Sequence, residues 1–313
     1  MATTVECEQR IDYAGTAESM TKAFGFHEPI SPARLEWLYE RAFGLGTTVV
    51  ALRDGNRKIG QIALVRQVLQ LGGRRETAAQ LVDLFIAAGY RGRESLRLLY
   101  GEVGRQFISQ GIRFAIGMPN AKALGVNAHF FDLRPYLTLP VSVGIVPPWP
   151  RSNQALSLRF NAHDGDRFVP LLAQFRSASA DNGLLWNETM LFDRLSRPAH
   201  DYGIHVTGDL LLISSRRRTR GISHTLLCGF LVRPGGRVSA REIDEVVRAA
   251  CLMWGRRFYV YVGINAKLPK SPGRVMPEKI RPSPMLVQLR DFRPDQSPPF
   301  RLDRYELIDF DYA

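Results

Sequence analysis

The stretch DLFIAAGYRGRESLRLLYGEVGRQF, residues 83–107, decides the fold. Its first residues are apolar and β-prone, and they predict the end of a buried strand over 80–87. From Leu96 to Phe107 apolar residues recur at the spacing of one helix face, which predicts an amphipathic helix. The arginine-rich turn 88–94 therefore joins a strand to a helix N-terminus, where free backbone amides and the positive end of the helix dipole favour an anion.

The same order of elements occurs twice along the chain. A helix predicted over 31–43 precedes two strands joined by an Asp-Gly turn, and a helix predicted over 187–198 precedes two strands joined by a basic turn. Each set continues as strand, turn, helix and strand. Asn120 and Asn265 close equivalent strands, and their numbers differ by 145. The sequence predicts a duplicated module.

Each half is predicted to be a mixed α/β sheet of the α+β kind, with helices on its faces. Hairpins give antiparallel neighbours, whereas a strand–helix–strand unit gives parallel ones. The prolines of VPPWPR, residues 146–151, interrupt both helices and strands and mark the boundary. The predicted domains are residues 1–150 and residues 151–313.

Composition narrows the class of protein. The 313 residues are 45% hydrophobic, which is enough for two packed cores. Three cysteines lie far apart and in no CxxC pair, so neither a disulfide framework nor a metal site is expected. Without a leader pattern or a long apolar run, the expected location is the cytoplasm. The net charge of +12 reflects clustered arginines, which are either solvated or directed at an anionic partner.

The order helix, hairpin, AAQLVDLFIAAGYRGRESLRLLY and then GIRFAIGMPN resembles the GNAT superfamily of acyl-CoA-dependent N-acyltransferases, and the doubled layout resembles its tandem members. The resemblance covers nearly the whole chain in element order, but only about residues 47–140 in motif. It implies two tandem GNAT-like domains, an N-terminal one that binds the acyl thioester and a degenerate C-terminal copy. It also implies that the fourth strand of a domain parts from the fifth, and that acetyl-CoA or a longer acyl-CoA binds there.

In that family the turn pattern Arg/Gln-x-x-Gly-x-Gly/Ala holds the diphosphate of the cofactor. Arg91 occupies the first position of the pattern, but Glu94 and Leu96 stand where the family has glycine and glycine or alanine. Both replacements weaken the close approach of backbone to phosphate that glycine permits. The residues expected to compensate, and so to bind the cofactor together with Arg91, are Gly92, Arg93 and Ser95.

The resemblance also implies the groups that would carry the chemistry. The backbone amide of Phe85 or Ile86 would donate to the thioester oxygen. Asp83, a carboxylate in an apolar strand predicted to share a face with Leu81 and Phe85, is either the general base or part of a structural ion pair. Tyr136 is the candidate acid for the departing thiolate, with packing in a strand as the alternative.

Asn120, at the end of a predicted strand, either bonds the amide arm of the cofactor or starts a turn. The leading functional prediction is transfer of an acyl group from acyl-CoA to a primary amine of a small molecule or lipid precursor. Two alternatives remain open, a donor carried by an acyl-carrier protein and a non-catalytic binding protein. An anionic membrane surface is a further candidate partner, whereas dispersed arginines without interleaved aromatic residues argue against nucleic acid.

Overall fold

The computed structural model describes residues 3–25, 27–148, 154–178, 181–219, 221–281, 285–293 and 301–310. These residues form two compact units. The first contains the described residues of Met1–Leu69, Arg75–Thr138 and Met285–Pro299. The second contains those of Gln70–Arg74, Leu139–Pro284 and Phe300–Ala313.

Both units combine strands with helices. The strands are, in chain order, β1 (Thr3–Cys7), β2 (Thr47–Asp54), β3 (Arg57–Leu71), β4 (Arg74–Ile86), β5 (Phe114–Gly117), β6 (Arg134–Thr138), β7 (Val141–Ile145), β8 (Leu156–Arg159), β9 (Gly183–Leu184), β10 (Tyr202–Thr207), β11 (Leu210–Thr219), β12 (Ile222–Val232), β13 (Phe258–Asn265), β14 (Arg274–Val275), β15 (Leu286–Asp291) and β16 (Arg304–Glu306). The helices are α1 (Tyr13–Phe24), α2 (Pro32–Glu36), α3 (Arg93–Ser109), α4 (Ala121–Phe131), α5 (Gly165–Ala173), α6 (Glu188–Leu195) and α7 (Ala240–Met253). A π-helical turn, Trp37–Arg41, continues α2, and 3-10 turns cover Ala88–Tyr90, Glu278–Ile280 and Leu307–Asp309.

The first unit is built on a mixed sheet whose strands follow the order β1-β2-β3-β4-β5-β15-β6. The Asp-Gly turn joins β2 to β3 as predicted, with Gly55 at a φ of +57°. Helix α3 buries Leu99, Tyr100, Val103 and Phe107 of the predicted stripe against this sheet, and Leu96, the first residue of the stripe, is partly buried there. Because β4 and β5 run parallel and flank α3 in the chain, they form the expected strand–helix–strand unit.

The second unit has a matching sheet in the order β14-β7-β13-β12-β11-β10-β8, and β16 pairs separately with β13. Helix α7 covers this sheet with Ile243, Val246, Val247 and Ala250 buried, as their spacing predicts. The helix begins with a capping box, in which the Ser239 hydroxyl accepts from the Glu242 amide and the Glu242 carboxylate accepts from the Ser239 amide. Two mixed sheets with covering helices confirm the predicted fold class.

The compact units do not divide at residue 150, where the sequence places the domain boundary. Strand β7, from before that residue, lies between β13 and β14 of the second sheet. Strand β15, from far beyond it, lies between β5 and β6 of the first sheet. Each sheet thus contains one internal strand, β15 in the first sheet and β7 in the second, that comes from the other side of residue 150 in the sequence. Proline content marks where the chain bends, but it carries no information about which sheet a strand joins.

Among the described residues, none of the helices combines the length and the apolar character needed to cross a bilayer.

Candidate functional site

Strands β4 and β5 of the first unit pair over only part of their length. The parallel register runs from Ala78 opposite Phe114 to Leu81 opposite Gly117. Strand β5 ends there, whereas β4 continues to Ile86. The strands therefore part at their carboxyl ends, as the family resemblance implies, and leave the main-chain groups of residues 82–86 without β5 as a neighbour.

A backbone irregularity marks the place where β4 leaves β5. Asp83 has a φ of +53°, in the left-handed region that residues other than glycine rarely adopt. Aspartate tolerates this region better than most residues because its short polar side chain can bond locally. Such conformations cost about 1–3 kcal/mol each and cluster at functional sites. The distortion singles out Asp83 within the strand.

The same distortion corrects the predicted faces of β4. Leu81, Leu84 and Ile86 all belong to the core beneath α3. On the opposite face Phe85 packs edge-on against Phe24 of α1, with ring centroids 6.3 Å apart. Leu81 was predicted to share the face of Asp83, which is wrong, because the turn in the backbone at Asp83 breaks the alternation of an extended strand.

The side chain of Asp83 is half-buried and reaches the π-helical turn that follows α2. The Tyr39 hydroxyl donates to Asp83 Oδ2 at 2.7 Å. In turn Gln61 Nε2, on β3, donates to the Tyr39 oxygen at 2.9 Å. Tyr39 and Gln61 are both buried. The chain Gln61–Tyr39–Asp83 fixes one carboxylate oxygen at the strand irregularity.

Tyr39 remains a neutral donor. Burial, followed by the neighbouring Asp83 charge, raises the pKa of its phenol well above the ordinary value. Sequence reasoning missed both Tyr39 and Gln61. A signal existed, since each is a polar residue in an apolar stretch, EWLYERAF and KIGQIALV, and buried polar groups need partners. The sequence could not show that the two would meet Asp83.

The turn between β4 and α3 is held by side chains as well as by its backbone. Arg91 Nε donates to the Ile86 oxygen at 3.1 Å, and its Nη2 donates to the Ala23 oxygen at 2.7 Å. The Arg91 guanidinium thus ties the turn to β4 and α1. Ser95 Oγ donates to the Tyr90 oxygen at 2.8 Å. Two of the three cofactor-binding side chains predicted at this turn, Arg91 and Ser95, therefore have structural partners in or beside the turn.

Helix α3 starts where the sequence places the anion site. Gly92 is the N-cap, in an extended conformation, and as a glycine it has no side chain that could cap the helix. Arg93 and Glu94 follow and are exposed. The first backbone amides of a helix have no acceptor within the helix, so those at the start of α3 can donate to a bound anion. The roles of Gly92 and Arg93, and of the backbone amides of Phe85 and Ile86, remain predictions.

The other two candidate residues lie on different elements. Asn120 is the N-cap of α4, where its Oδ1 accepts from the amides of Lys122 and Ala123 at 3.0 Å each. This favours the turn-forming interpretation of Asn120. Tyr136 is half-buried on β6, and β15 separates that strand from β5. At strand spacings near ~4.8 Å, its strand lies about 10 Å from β5. Its role as an acid remains a prediction.

A cavity of about 650 Å³ lies beside the carboxyl end of β4, on the side of α1. It is bounded by α1, by the turn between β2 and β3 and by residues 85–90. Its charged lining is mixed, with three carboxylates and four cations: Glu8, Asp12, Glu18, Lys22, Arg53, Arg57 and Lys58. Lys58 donates to Glu8 Oε2 and to Thr16 Oγ1, both at 2.9 Å.

A second depression, which we call the α3–α4 groove, has a volume of about 600 Å³. It is lined by Arg93, Arg97, Tyr100, Gly101, Gly104, Arg105, Ile108, His129, Phe130, Phe131 and Arg290. Two of its arginines have nearby carboxylates, Glu94 for Arg97 and Glu102 for Arg105. The groove begins at the first residue of α3 and carries an excess of positive charge.

Among the described residues, no three His, Cys, Asp or Glu side chains come together as a metal site would require.

No protein-family model and no curated protein sequence gives a significant match to this chain. Solved structures do match. A GCN5-related N-acetyltransferase from Anabaena variabilis superposes with a TM-score of 0.65 at 14% identity, over 93% of this chain and 73% of its own. One from Kribbella flavida gives 0.61 at 15% identity, over 92% and 71%.

A tandem GNAT protein from the clavulanic acid biosynthesis pathway matches over 93% of this chain and 98% of its own, with a TM-score of 0.54 and 10% identity. At such identities the likeness establishes the fold and leaves the activity open. The chain therefore has the fold of the GCN5-related N-acetyltransferases, in the tandem form.

Proposed function

We propose that the first unit transfers an acyl group from a coenzyme A thioester to a primary amine. The observation that carries this proposal is the parting of β4 from β5 beside the irregular Asp83. A parted strand offers free main-chain groups to an extended ligand arm, and the helix start at Gly92 offers amides to its phosphates. The GNAT fold supports acyl transfer in general.

In this reaction the amine nitrogen attacks the thioester carbonyl and the carbon–sulfur bond breaks. Asp83 takes the proton that the amine loses, directly or through a water molecule. The amide of Phe85 or Ile86 stabilises the oxygen that becomes negative. Tyr136 supplies a proton to the departing thiolate. Tyr39 is a positioning residue, because it holds the carboxylate of Asp83.

The cavity beside α1 is the proposed place for the acceptor. Phe85 of its wall lies at the end of β4 and Ala87 directly follows that strand, so a ligand there approaches the same strand that would hold the thioester. Its mixed charges suit a polar acceptor that carries both an amine and an acidic group. Acetyl-CoA and longer acyl-CoA are the proposed donors.

Transfer is tested by incubating the protein with acetyl-CoA or a long-chain acyl-CoA and a panel of small amines, and by following free thiol and acylated amine. We expect the two products in equal amounts. Thermal stabilisation by CoA, in the absence of any amine, reports binding separately. A protein that neither binds CoA nor releases thiol from any of these donors contradicts the proposal.

A second candidate donor is an acyl chain on the phosphopantetheine of a carrier protein. Glu94 and Leu96 leave a turn poorly suited to a diphosphate, and the α3–α4 groove beside it carries the arginines that an acidic carrier would need. The dependence of activity on ionic strength distinguishes the two donors. Raising the ionic strength from 50 to 500 mM should reduce carrier-dependent activity steeply and CoA-dependent activity much less.

A further inference from the structure

The second unit contains a counterpart of the parted strands. Its β12 and β13 pair in parallel only from Thr225 opposite Tyr259 to Leu227 opposite Tyr261, and then separate. Strand β12 also has an irregularity at this point. Along β11, Ser214 faces Leu227 while Ile213 faces Gly229, which makes Cys228 an inserted bulge residue.

The bulge residue Cys228 lies 145 positions after Asp83, the separation that also relates Asn265 to Asn120. The counterpart of Phe85 is then Phe230. A buried thiol replaces the carboxylate, and burial raises the pKa of Cys228 to about 11, so it is a poor nucleophile. The second unit has kept the strand geometry and lost the proposed base.

The gap between these strands is filled by the chain itself. Strand β16 pairs antiparallel with the far end of β13, from Gly263 opposite Glu306 to Asn265 opposite Arg304. Its Glu306 side chain points across the gap to β12. Both carboxylate oxygens accept from the Phe230 amide at 3.1 Å. They also accept from the Tyr261 hydroxyl at 2.9 Å and from Asn265 Nδ2 at 3.3 Å.

The residues after Glu306 are held by side-chain hydrogen bonds and by burial. Arg194 Nε donates to the Ile308 oxygen at 3.0 Å, and Trp186 Nε1 donates to Asp309 Oδ1 at 2.7 Å. Residues 305–310 are buried. At Gly229 of β12 a Cβ atom would lie 2.8 Å from Cγ2 of Ile308, so the segment rests directly on the strand backbone. The segment 304–310, which we call the inserted segment, fits the gap closely.

We infer that the gap between β12 and β13 is a peptide-binding site, occupied in cis by the inserted segment, with the Glu306 carboxyl where a thioester oxygen would lie in the first unit. The ligand it takes is an extended peptide with a side-chain carboxyl that faces the Phe230 amide. The second unit is consequently closed to acyl thioesters. The statement that the second unit is closed to acyl thioesters rests on the proposed function, whereas the occupancy of the gap by the inserted segment does not.

Hydrogen exchange followed by mass spectrometry tests the occupancy. We expect the peptide covering 228–232 to be strongly protected, and Gly229→Ala, which pushes on Ile308, to speed its exchange and that of 304–310 at least tenfold. Gly101→Ala is the matched control, because no atom of the described residues outside its own helix lies within 4 Å of the added carbon. Rapid exchange of 228–232 in the unmodified protein, or no response to Gly229→Ala, would overturn the inference.

Calorimetric titration with CoA separates the two proposals. One CoA per chain agrees with both. Two per chain would overturn the closure of the second unit and leave the proposed function standing. None would overturn the proposed function, while the exchange measurement would still decide whether the inserted segment occupies the gap.

Discussion

Two backbone irregularities meet at Asp83. The aspartate itself adopts a positive φ within β4, and its partner Tyr39 lies in a π-helical turn. π-helical turns and strand irregularities are each uncommon and each concentrate at functional sites. Here the wide turn directs a phenol inward and the strand irregularity turns a carboxylate toward it. One hydrogen bond of 2.7 Å joins them.

Removing the charge of Asp83 should abolish most activity. Asp83→Asn keeps the shape and tolerates the left-handed backbone, but it cannot accept a proton, so we expect kcat to fall roughly 10²–10⁴-fold. Asp132→Asn is the matched control, because Asp132 also has a positive φ, +49°, and lies at the end of α4. Steady-state kinetics of both variants give the comparison. Equal activity of Asp83→Asn and the unmodified protein would contradict a role for Asp83 as the base.

Tyr39→Phe removes the donor and keeps the ring. A hydrogen bond to a charged group contributes about 1.5–3 kcal/mol, so kcat should fall by roughly one to two orders of magnitude. The carboxylate also loses a donor that favours its charged form, so the acidic limb of the pH–rate profile should move to higher pH. A fall in stability with an unmoved pH profile would show that Tyr39 is only a packing residue.

At the scale of elements, periodicity predicted the helix and the strand around the turn but not the detail of β4. The stripe Leu99, Tyr100, Val103 and Phe107 is buried as its spacing requires. The alternation of β4 fails at one residue, Asp83, whose side chain takes part in contacts between residues far apart in the chain. Tyr39 lies 44 positions before Asp83, and Gln61 lies 22 positions after Tyr39. Local pattern carries no information about contacts of that separation.

The start of α3 offers a test of the anion site. Glu94 is exposed in the first turn and its charge would oppose a phosphate bound at the helix start. Two unit charges about 4 Å apart in water interact by ~1 kcal/mol, so Glu94→Gln should tighten CoA binding roughly fivefold at low salt. Glu278→Gln, an exposed glutamate of the second unit, is the control. Calorimetric Kd values that do not change would place the phosphates elsewhere.

The whole molecule should respond to pH through Glu306. Burial raises the pKa of this carboxyl to about 8. The groups that face it are the Phe230 amide of β12, Tyr261 and Asn265 of β13, and Arg304 and Asp309 of its own segment. Since the folded chain holds this proton between pH 4.5 and about 8 and the unfolded chain releases it, the stability that it contributes is lost as pH rises across that window.

Glu306→Gln mimics the protonated carboxyl and cannot titrate. The difference in the free energy of unfolding between the unmodified protein and this variant should change by at most about 1.4 kcal/mol per pH unit between pH 5 and 8, in the direction that disfavours the unmodified protein at high pH. Denaturant unfolding at four pH values measures it. Parallel curves for the two proteins would show that Glu306 does not hold its proton in the folded state.

The exchange of strands ties the two halves of the sequence together. A fragment of residues 1–150 lacks β15, which pairs with both β5 and β6, and a fragment of residues 151–313 lacks β7, which pairs with both β13 and β14. Each fragment would leave two strand edges of a sheet unpaired, and such edges favour aggregation. We therefore expect neither fragment alone to unfold cooperatively in circular dichroism. Cutting the chain after residue 138 instead would not complete the first sheet, because a fragment of residues 1–138 also lacks β15. Restoring residues 285–293 to the first fragment through a flexible linker should recover a cooperative transition, and a fragment 1–150 that melts cooperatively without them would contradict the requirement for β15.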